Sequence, residues 1–223
     1  MAHTTTDVGF LHMIIGPMCA GKTTELIQKA NRESAIGRRV LLVNHALDNR
    51  HDTGRLSTHA DKEKTDTRRF ASVSLSDLAD LMKCAQHKEL LAAHDVICID
   101  ELQFFQSPSD MIRFLVNVLK KKVYAAGLVA DYKQCAFGEV LPLLAFADSF
   151  QHCTGLCTVC NDGTVGCFTK RRGGGGSSVI SVGDCESEYM LVCRRHFTCD
   201  EEDATLPHDA DTGGGEVIHA EEH

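Results

Sequence analysis

The chain lacks any apolar run approaching the ~20 residues that a membrane-spanning helix needs, so no transmembrane segment is expected. Its start, Met1-Ala2-His3-Thr4-Thr5-Thr6-Asp7, has neither the basic flank nor the apolar centre of a secretory signal. With eleven cysteines present, that absence argues for a reducing, cytoplasmic compartment rather than a disulfide scaffold. Internal repeats are also missing. Lys and Arg do not occur after residue 199, although nine acidic residues follow it, so the formal charge of −8 is unevenly spread. Positions 1–199 hold 22 acidic against 23 basic residues and are near neutral. No basic stripe of a nucleic-acid binder is present, and neither nucleic acid nor membrane is expected as a partner.

What is present begins with Gly16-Pro17-Met18-Cys19-Ala20-Gly21-Lys22-Thr23-Thr24, which matches G-x-x-x-x-G-K-[ST]. An apolar strand-like segment, 10–15, precedes it, and Glu25 to Ala30 reads as a helix start. Strand, glycine loop and helix in that order make an anion cradle. Backbone N–H groups and the positive end of the helix dipole converge on phosphate oxygens. Lys22 then reaches the terminal phosphates and Thr23 holds magnesium.

Further on, Gly37 reads as a left-handed helix cap and 39–44 as a second buried strand. Residues 45–68 are polar and read as a long loop. Helical spacing of Leu78, Leu81 and Met82 predicts a helix over 76–87, with Cys84 as a small buried thiol. A strand over 94–101 follows. Ser107-Pro108-Ser109-Asp110 then predicts a capped helix reaching about Lys121, and 123–128 a further strand. Strands alternating with helices imply an α/β fold, a parallel sheet with helices on both faces. Near residue 150 the texture changes to paired cysteines and short segments. The expected organisation is 1–150 as a nucleotide-binding α/β domain, 151–199 as a small metal-binding domain, and 200–223 as an acidic, disordered tail. The run Gly173 to Gly176 reads as a linker or loop tip.

Val96-Ile97-Cys98-Ile99 ends in Asp100, the second half of a nucleoside-triphosphate site, which completes the magnesium environment directly or through water. Glu101 follows, and strand alternation turns its side chain away from that of Asp100. A carboxylate there can accept a proton from an attacking hydroxyl or water. Most transition-state stabilisation falls to Lys22, magnesium and backbone dipoles. Farther along, Cys157-x-x-Cys160 and Cys193-x-x-His196 form two C-x-x-[CH] pairs. Each offers two ligands, and together they complete a closed tetrahedral zinc site with a structural role. Cys153, Cys167, Cys185 and Cys199 lack the paired spacing and read as free thiols. His12 reads as a buried structural histidine.

These segments together resemble the type II thymidine kinases, cytosolic deoxynucleoside kinases with a P-loop core and a zinc-bearing lasso domain. The resemblance spans about residues 9–199. It rests on the glycine loop, Asp48-Asn49-Arg50, Ser57-Thr58-His59, Asp100 to Phe105, Asp131-Tyr132, Phe137-Gly138, Thr169-Lys170-Arg171, and Tyr189 through Cys193-Arg194-Arg195-His196-Phe197. It implies a RecA-like P-loop fold and ATP-dependent phosphorylation of thymidine, and of deoxyuridine, at the 5′-hydroxyl in nucleotide salvage. Glu101 falls on the catalytic base. Residues 16–23, Asp48, Arg50, Asp100 and Gln103 fall on the ATP and Mg2+ side. Met18, Phe104, Leu128, Tyr132 and Phe137 surround the nucleoside. Backbone groups of the lasso, here Val179, Ile180, Ser181, Val182, Gly183 and Asp184, read the base edge and are closed by Tyr189. A homotetramer and feedback inhibition by the thymidine triphosphate end product are implied too. The chain departs from the family pattern at Cys19-Ala20, Val129, Ala136 and His196. Two other functions stay in view: a P-loop kinase or ATPase for another small substrate, and a non-catalytic zinc-bearing nucleotide sensor. Phe105 and Phe137 also suit plain core positions.

Overall fold

A computed structural model describes residues 8–47, 69–172 and 188–197. Asp48, Arg50, the lasso positions Val179 to Asp184, the glycine run and the acidic tail lie outside the described residues. In chain order the elements are β1 (Phe10–Ile15), α1 (Lys22–Ala35), β2 (Val40–His45), β3 (Ala71–Leu75), α2 (Ala85–Ala93), β4 (Val96–Ile99), α3 (Pro108–Arg113), β5 (Lys122–Gly127), α4 (Val140–Leu144), β6 (Ser149–His152), β7 (Gly155–Leu156), β8 (Val165–Gly166), β9 (Phe168–Arg171) and β10 (Tyr189–Val192). The first six strands form one sheet of order β3-β2-β4-β5-β1-β6, every pair of it parallel. Antiparallel ribbons β9–β10 and β7–β8 make the small appendage.

Alternation along each central strand feeds two cores. Leu11, Met13, Leu41, Val43, Ile97, Ile99, Val123 and Ala125 face a core completed by Leu78, Leu81, Leu91, Ile112, Leu115, Val140 and Leu143. The opposite positions, Ile14, Val40, Leu42, Val96, Cys98 and Ala126, pack with Leu26, Ile27 and Ala30 of α1. Both faces are therefore covered, as runs of unbroken apolar strand residues require. Fully burying one side chain such as Leu26 contributes about 2 kcal/mol. The expected α/β sheet with helices on both faces is what forms.

Several local expectations shift. The segment 76–87 is not one helix. A 3-10 turn over Leu78–Met82, capped by the Asp77 carboxylate accepting from Ala79 N at 2.9 Å, precedes α2. Leu78 and Leu81 are both buried, and an i, i+3 pair satisfies a 3-10 turn as well as an α-helix. Cys84 is exposed at the start of α2 rather than buried. The helix after Ser107 starts where its sequence says, but Ser107 sits at φ 43 and makes no side-chain cap. After six residues it widens into a π turn, Phe114–Val118, which buries Leu115 and Val116 together. Strands β3 and β6 were not anticipated. Both are edge strands with polar positions, Ala-Ser-Val-Ser-Leu and Ser-Phe-Gln-His, and lack the apolar run that marks a central strand. Through β6 the main sheet extends to His152, a short way past the texture change.

One buried acid stands out away from the strand ends. Glu33 of α1 is 6% exposed and accepts hydrogen bonds from Tyr124 Oη at 2.6 Å and Arg38 Nη1 at 2.7 Å, with Lys122 Nζ 2.7 Å away. Burial opposes its ionisation, yet Lys122, Tyr124 and Arg38 together hold its carboxyl below the usual range.

Candidate active site

The phosphate loop leaves the carboxyl end of β1. Gly16 has φ 150, and a Cβ there would stand 2.3 Å from the carbonyl oxygen of Cys153. Only glycine lets the chain turn this close to the β6 exit, whose Cys153 N donates to Ile15 O at 2.7 Å. The loop closes with Gly21 at φ 79, and α1 starts at Lys22. Lys22 Nζ donates to Pro17 O at 2.7 Å, so the ammonium is folded over the loop it serves. Met18 N donates to Thr169 Oγ1 at 2.9 Å, tying the loop to β9 of the appendage. Thr169 is buried, and nothing in its local pattern marks it as a partner of a loop 151 positions away.

Strand order leaves β5 between β1 and β4, yet the two halves of the site meet. Thr23 Oγ1 donates to Asp100 Oδ2 at 2.9 Å. Strand alternation, the basis on which Asp100 and Glu101 are expected to point apart, does not extend to Glu101. β4 ends at Ile99, and Glu101 adopts a left-handed conformation, φ 52 and ψ 43. A non-glycine residue in that region stores strain of order 1 kcal/mol and is commoner at functional sites. Asp100 Oδ1 accepts from Glu101 N at 3.0 Å, and Gln103 Nε2 donates to Glu101 Oε2 at 2.6 Å. The other end of the Gln103 amide accepts from Leu128 N at 2.9 Å. Gln103 is thus a buried brace between the Glu101 carboxylate and the end of β5.

The aromatic positions form two pairs. Phe104 and Phe137 meet edge to face at 5.8 Å, and Tyr132 lies 6.4 Å from Tyr189. Arg171 stands over the Tyr132 ring at 5.7 Å. Leu128 and Tyr189 are buried, while Phe104, Tyr132 and Phe137 keep partial exposure. Phe105, by contrast, is core, as its alternative reading allowed. His45 was missed. It ends β2, contacts Phe105 at 4.7 Å and Phe104 at 5.8 Å, accepts from Leu47 N at Nδ1 and lies 3.2 Å from Ser76 O at Nε2. Its place at a strand end, the same rule that singled out Asp100, was the available signal.

In the appendage Cys157, Cys160, Cys193 and His196 present ligand atoms that all lie within 4.8 Å of one another. Cys160 Sγ is 3.7 Å from Cys193 Sγ, and His196 Nδ1 is 3.2, 3.4 and 3.7 Å from the sulfurs of Cys160, Cys193 and Cys157. A tetrahedral ion with Zn–S about 2.3 Å has edges of roughly 3.5–3.8 Å, so this donor set fits zinc. Burial disfavours a thiolate at Cys157, but N–H groups of Cys160, Cys193 and Val159 more than offset it and lower its pKa. Cys160 shifts upward through burial and its cysteine neighbours. Cys153 and Cys167 are free thiols, as expected. His12 is packed on β1, bonded through Nδ1 to Ser149 Oγ at 2.8 Å, and burial lowers its pKa, in keeping with a structural role.

A phosphate loop hydrogen-bonded to a strand-end aspartate, with a second carboxylate braced beside it, defines the class of P-loop kinases and related nucleoside-triphosphate enzymes. Within that class the chain belongs to the thymidine kinase family, whose model, described as thymidine kinase, matches residues 9–197. A thymidine kinase of Oryza sativa subsp. japonica is 35% identical over 190 residues, 85% of this chain and 66% of that protein. One from Thermococcus kodakarensis is 33% identical over 201 residues, covering 87% of this chain and 96% of the relative. One from Deinococcus radiodurans is 32% identical, covering 84% and 90%. The two alternative functions are not favoured by this membership. No helix among the described residues is long and apolar enough to cross a membrane.

Proposed function

We propose that the chain transfers the γ-phosphoryl group of ATP to the 5′-hydroxyl of thymidine, and of deoxyuridine, in nucleotide salvage. The observation that carries the reading is the Glu101 carboxylate, braced by Gln103 and set one residue from the Asp100–Thr23 pair. In that geometry the hydroxyl proton passes to Glu101 as O5′ forms its bond to the γ-phosphorus. The bridging bond to the β-phosphate breaks, and ADP leaves. Glu101 serves mainly to orient the hydroxyl, because phosphoryl transfer is loose and gains more from positioning and charge than from proton removal. Lys22 and the loop N–H groups hold the phosphates. Thr23 and Asp100 offer the hard oxygen donors that suit magnesium, which when bound neutralises charge on the β- and γ-phosphates. Phe104, Phe137, Leu128, Tyr132 and Tyr189 supply the apolar surround for a pyrimidine, with Met18 at the loop.

Zinc in the cysteine–histidine cluster fixes the ribbon that carries Thr169 and Tyr189, so the knuckle positions one wall of the site. Asp48, Arg50 and the lasso positions complete the phosphate and base contacts in this reading. A cytosolic homotetramer, inhibited by thymidine triphosphate, follows from the family. Incubation with ATP, Mg2+ and a panel of nucleosides tests the proposal. Thymidine monophosphate and ADP should form in equal amounts; ADP without nucleotide product, or transfer only to purine nucleosides, would overturn it.

A further inference from the structure

Asn44 is the second-last residue of β2 and lies on the face that carries α1. Val40 and Leu42, at the same alternating positions, pack with Leu26 and Ile27 of α1, whereas Val43 and the His45–Phe105 contact belong to the other core. In the ladder Val43 stands opposite Ile99, and Asp100 N donates to Val43 O at 2.9 Å. Asn44 is the next residue, so it lies alongside Asp100 on the face where Thr23 approaches. It is only 5% exposed, and its carboxamide Oδ1 has no hydrogen-bond partner. A buried acceptor without a donor is uncommon and asks for a partner that arrives later. Val and Leu occupy the two preceding positions of this face, so packing alone gives no reason for a carboxamide.

We infer that Asn44 is a positioning residue for hydrated magnesium on the bound nucleotide, its Oδ1 accepting a hydrogen bond from a metal-bound water. The inference rests on the ATP and magnesium reading of the site. Magnesium keeps several of its waters when bound by one or two protein oxygens. Those waters are donors and need acceptors around the ion. Asp100 accepts on one side; a neutral carboxamide beside it adds a second acceptor without a second charge. Sequence patterns for phosphate loops and strand-end acids do not reach this position.

The test titrates Mg2+ into the full-length protein saturated with a non-hydrolysable ATP analogue, read by calorimetry, for wild type, Asn44→Leu and Asn44→Asp. Binding of the metal-free analogue and melting of the ligand-free protein are measured alongside. Asn44→Leu should weaken Mg2+ binding about 5–20-fold and leave metal-free analogue affinity within about twofold. It should also raise the melting temperature, because an unsatisfied buried acceptor is gone. Asn44→Asp should tighten Mg2+ binding and lower the ligand-free melting temperature, since two carboxylates then lie side by side without an ion. Unchanged Mg2+ affinity in both variants, or equal losses with and without metal, overturns the inference while leaving the ATP site intact. If Asn44→Leu does not fold, weaker Mg2+ binding by Asn44→Asp overturns it. Wild type that binds the analogue with no dependence on Mg2+ overturns the inference and the reading beneath it together.

Discussion

Motif arithmetic treats Gly16 and Gly21 alike, but their surroundings demand different things of an added methyl group. At Gly16 the new Cβ would meet the Cys153 carbonyl oxygen at 2.3 Å. An ordinary contact begins near 3.4 Å, so something must yield by about 1 Å. The obstacle is backbone, held by the 2.7 Å bond from Cys153 N to Ile15 O between the edge strand and β1. Overpacking of that kind costs about 1–3 kcal/mol, and the unfavourable φ adds about 1–3 kcal/mol. At Gly21 nothing lies within 4 Å, leaving only the cost of a left-handed alanine, about 1–2 kcal/mol. Gly16→Ala should therefore destabilise by about 2–6 kcal/mol and Gly21→Ala by about 1–2 kcal/mol. In a chain of this size a kilocalorie corresponds to roughly 2–4 °C of melting temperature. Chemical denaturation of both variants checks the difference. Equal losses, or a larger loss for Gly21→Ala, would refute the packing argument for the loop.

Two other outcomes follow from groups outside the phosphate loop. The folded pKa of Glu33 lies below its unfolded value of 4.5, so its stabilising contribution is present above that pH and is lost as pH falls through the folded value. Stability measured from pH 6 to pH 2.5 should decline less steeply in Glu33→Gln than in wild type, and an unchanged acid slope would remove Glu33 from the account. Metal analysis should find about one zinc per chain in wild type, and His196→Ala should bind it less tightly and melt earlier; undiminished zinc in that variant would exclude His196 as a ligand.

The sequence made the parts of the site with local signatures legible. The glycine loop, the strand-end Asp100 and the paired C-x-x-[CH] knuckles depend on spacings of a few residues, and each forms as expected. The central strands were also readable, because burial on both faces leaves unbroken apolar runs such as Val96 to Ile99. Edge strands β3 and β6 escaped because one side of each meets solvent and their composition is mixed. Long-range partners escaped for another reason. The Thr169–Met18 bond, the Gln103 brace to Leu128 and the His45–Phe105 contact join segments whose local patterns hold no record of one another. The left-handed turn at Glu101 belongs with these. Strand alternation, which suggests that the two acids point apart, ends at Ile99 and does not reach Glu101.

The most direct test of the account is single-turnover phosphoryl transfer by wild type and Glu101→Gln with saturating ATP, Mg2+ and thymidine. Wild type should produce thymidine monophosphate, and the variant should do so about 10²–10⁴-fold more slowly with ATP affinity within about twofold. A variant that transfers at the wild-type rate would contradict the assignment of Glu101, and wild type that makes no thymidine monophosphate would contradict the proposed reaction itself.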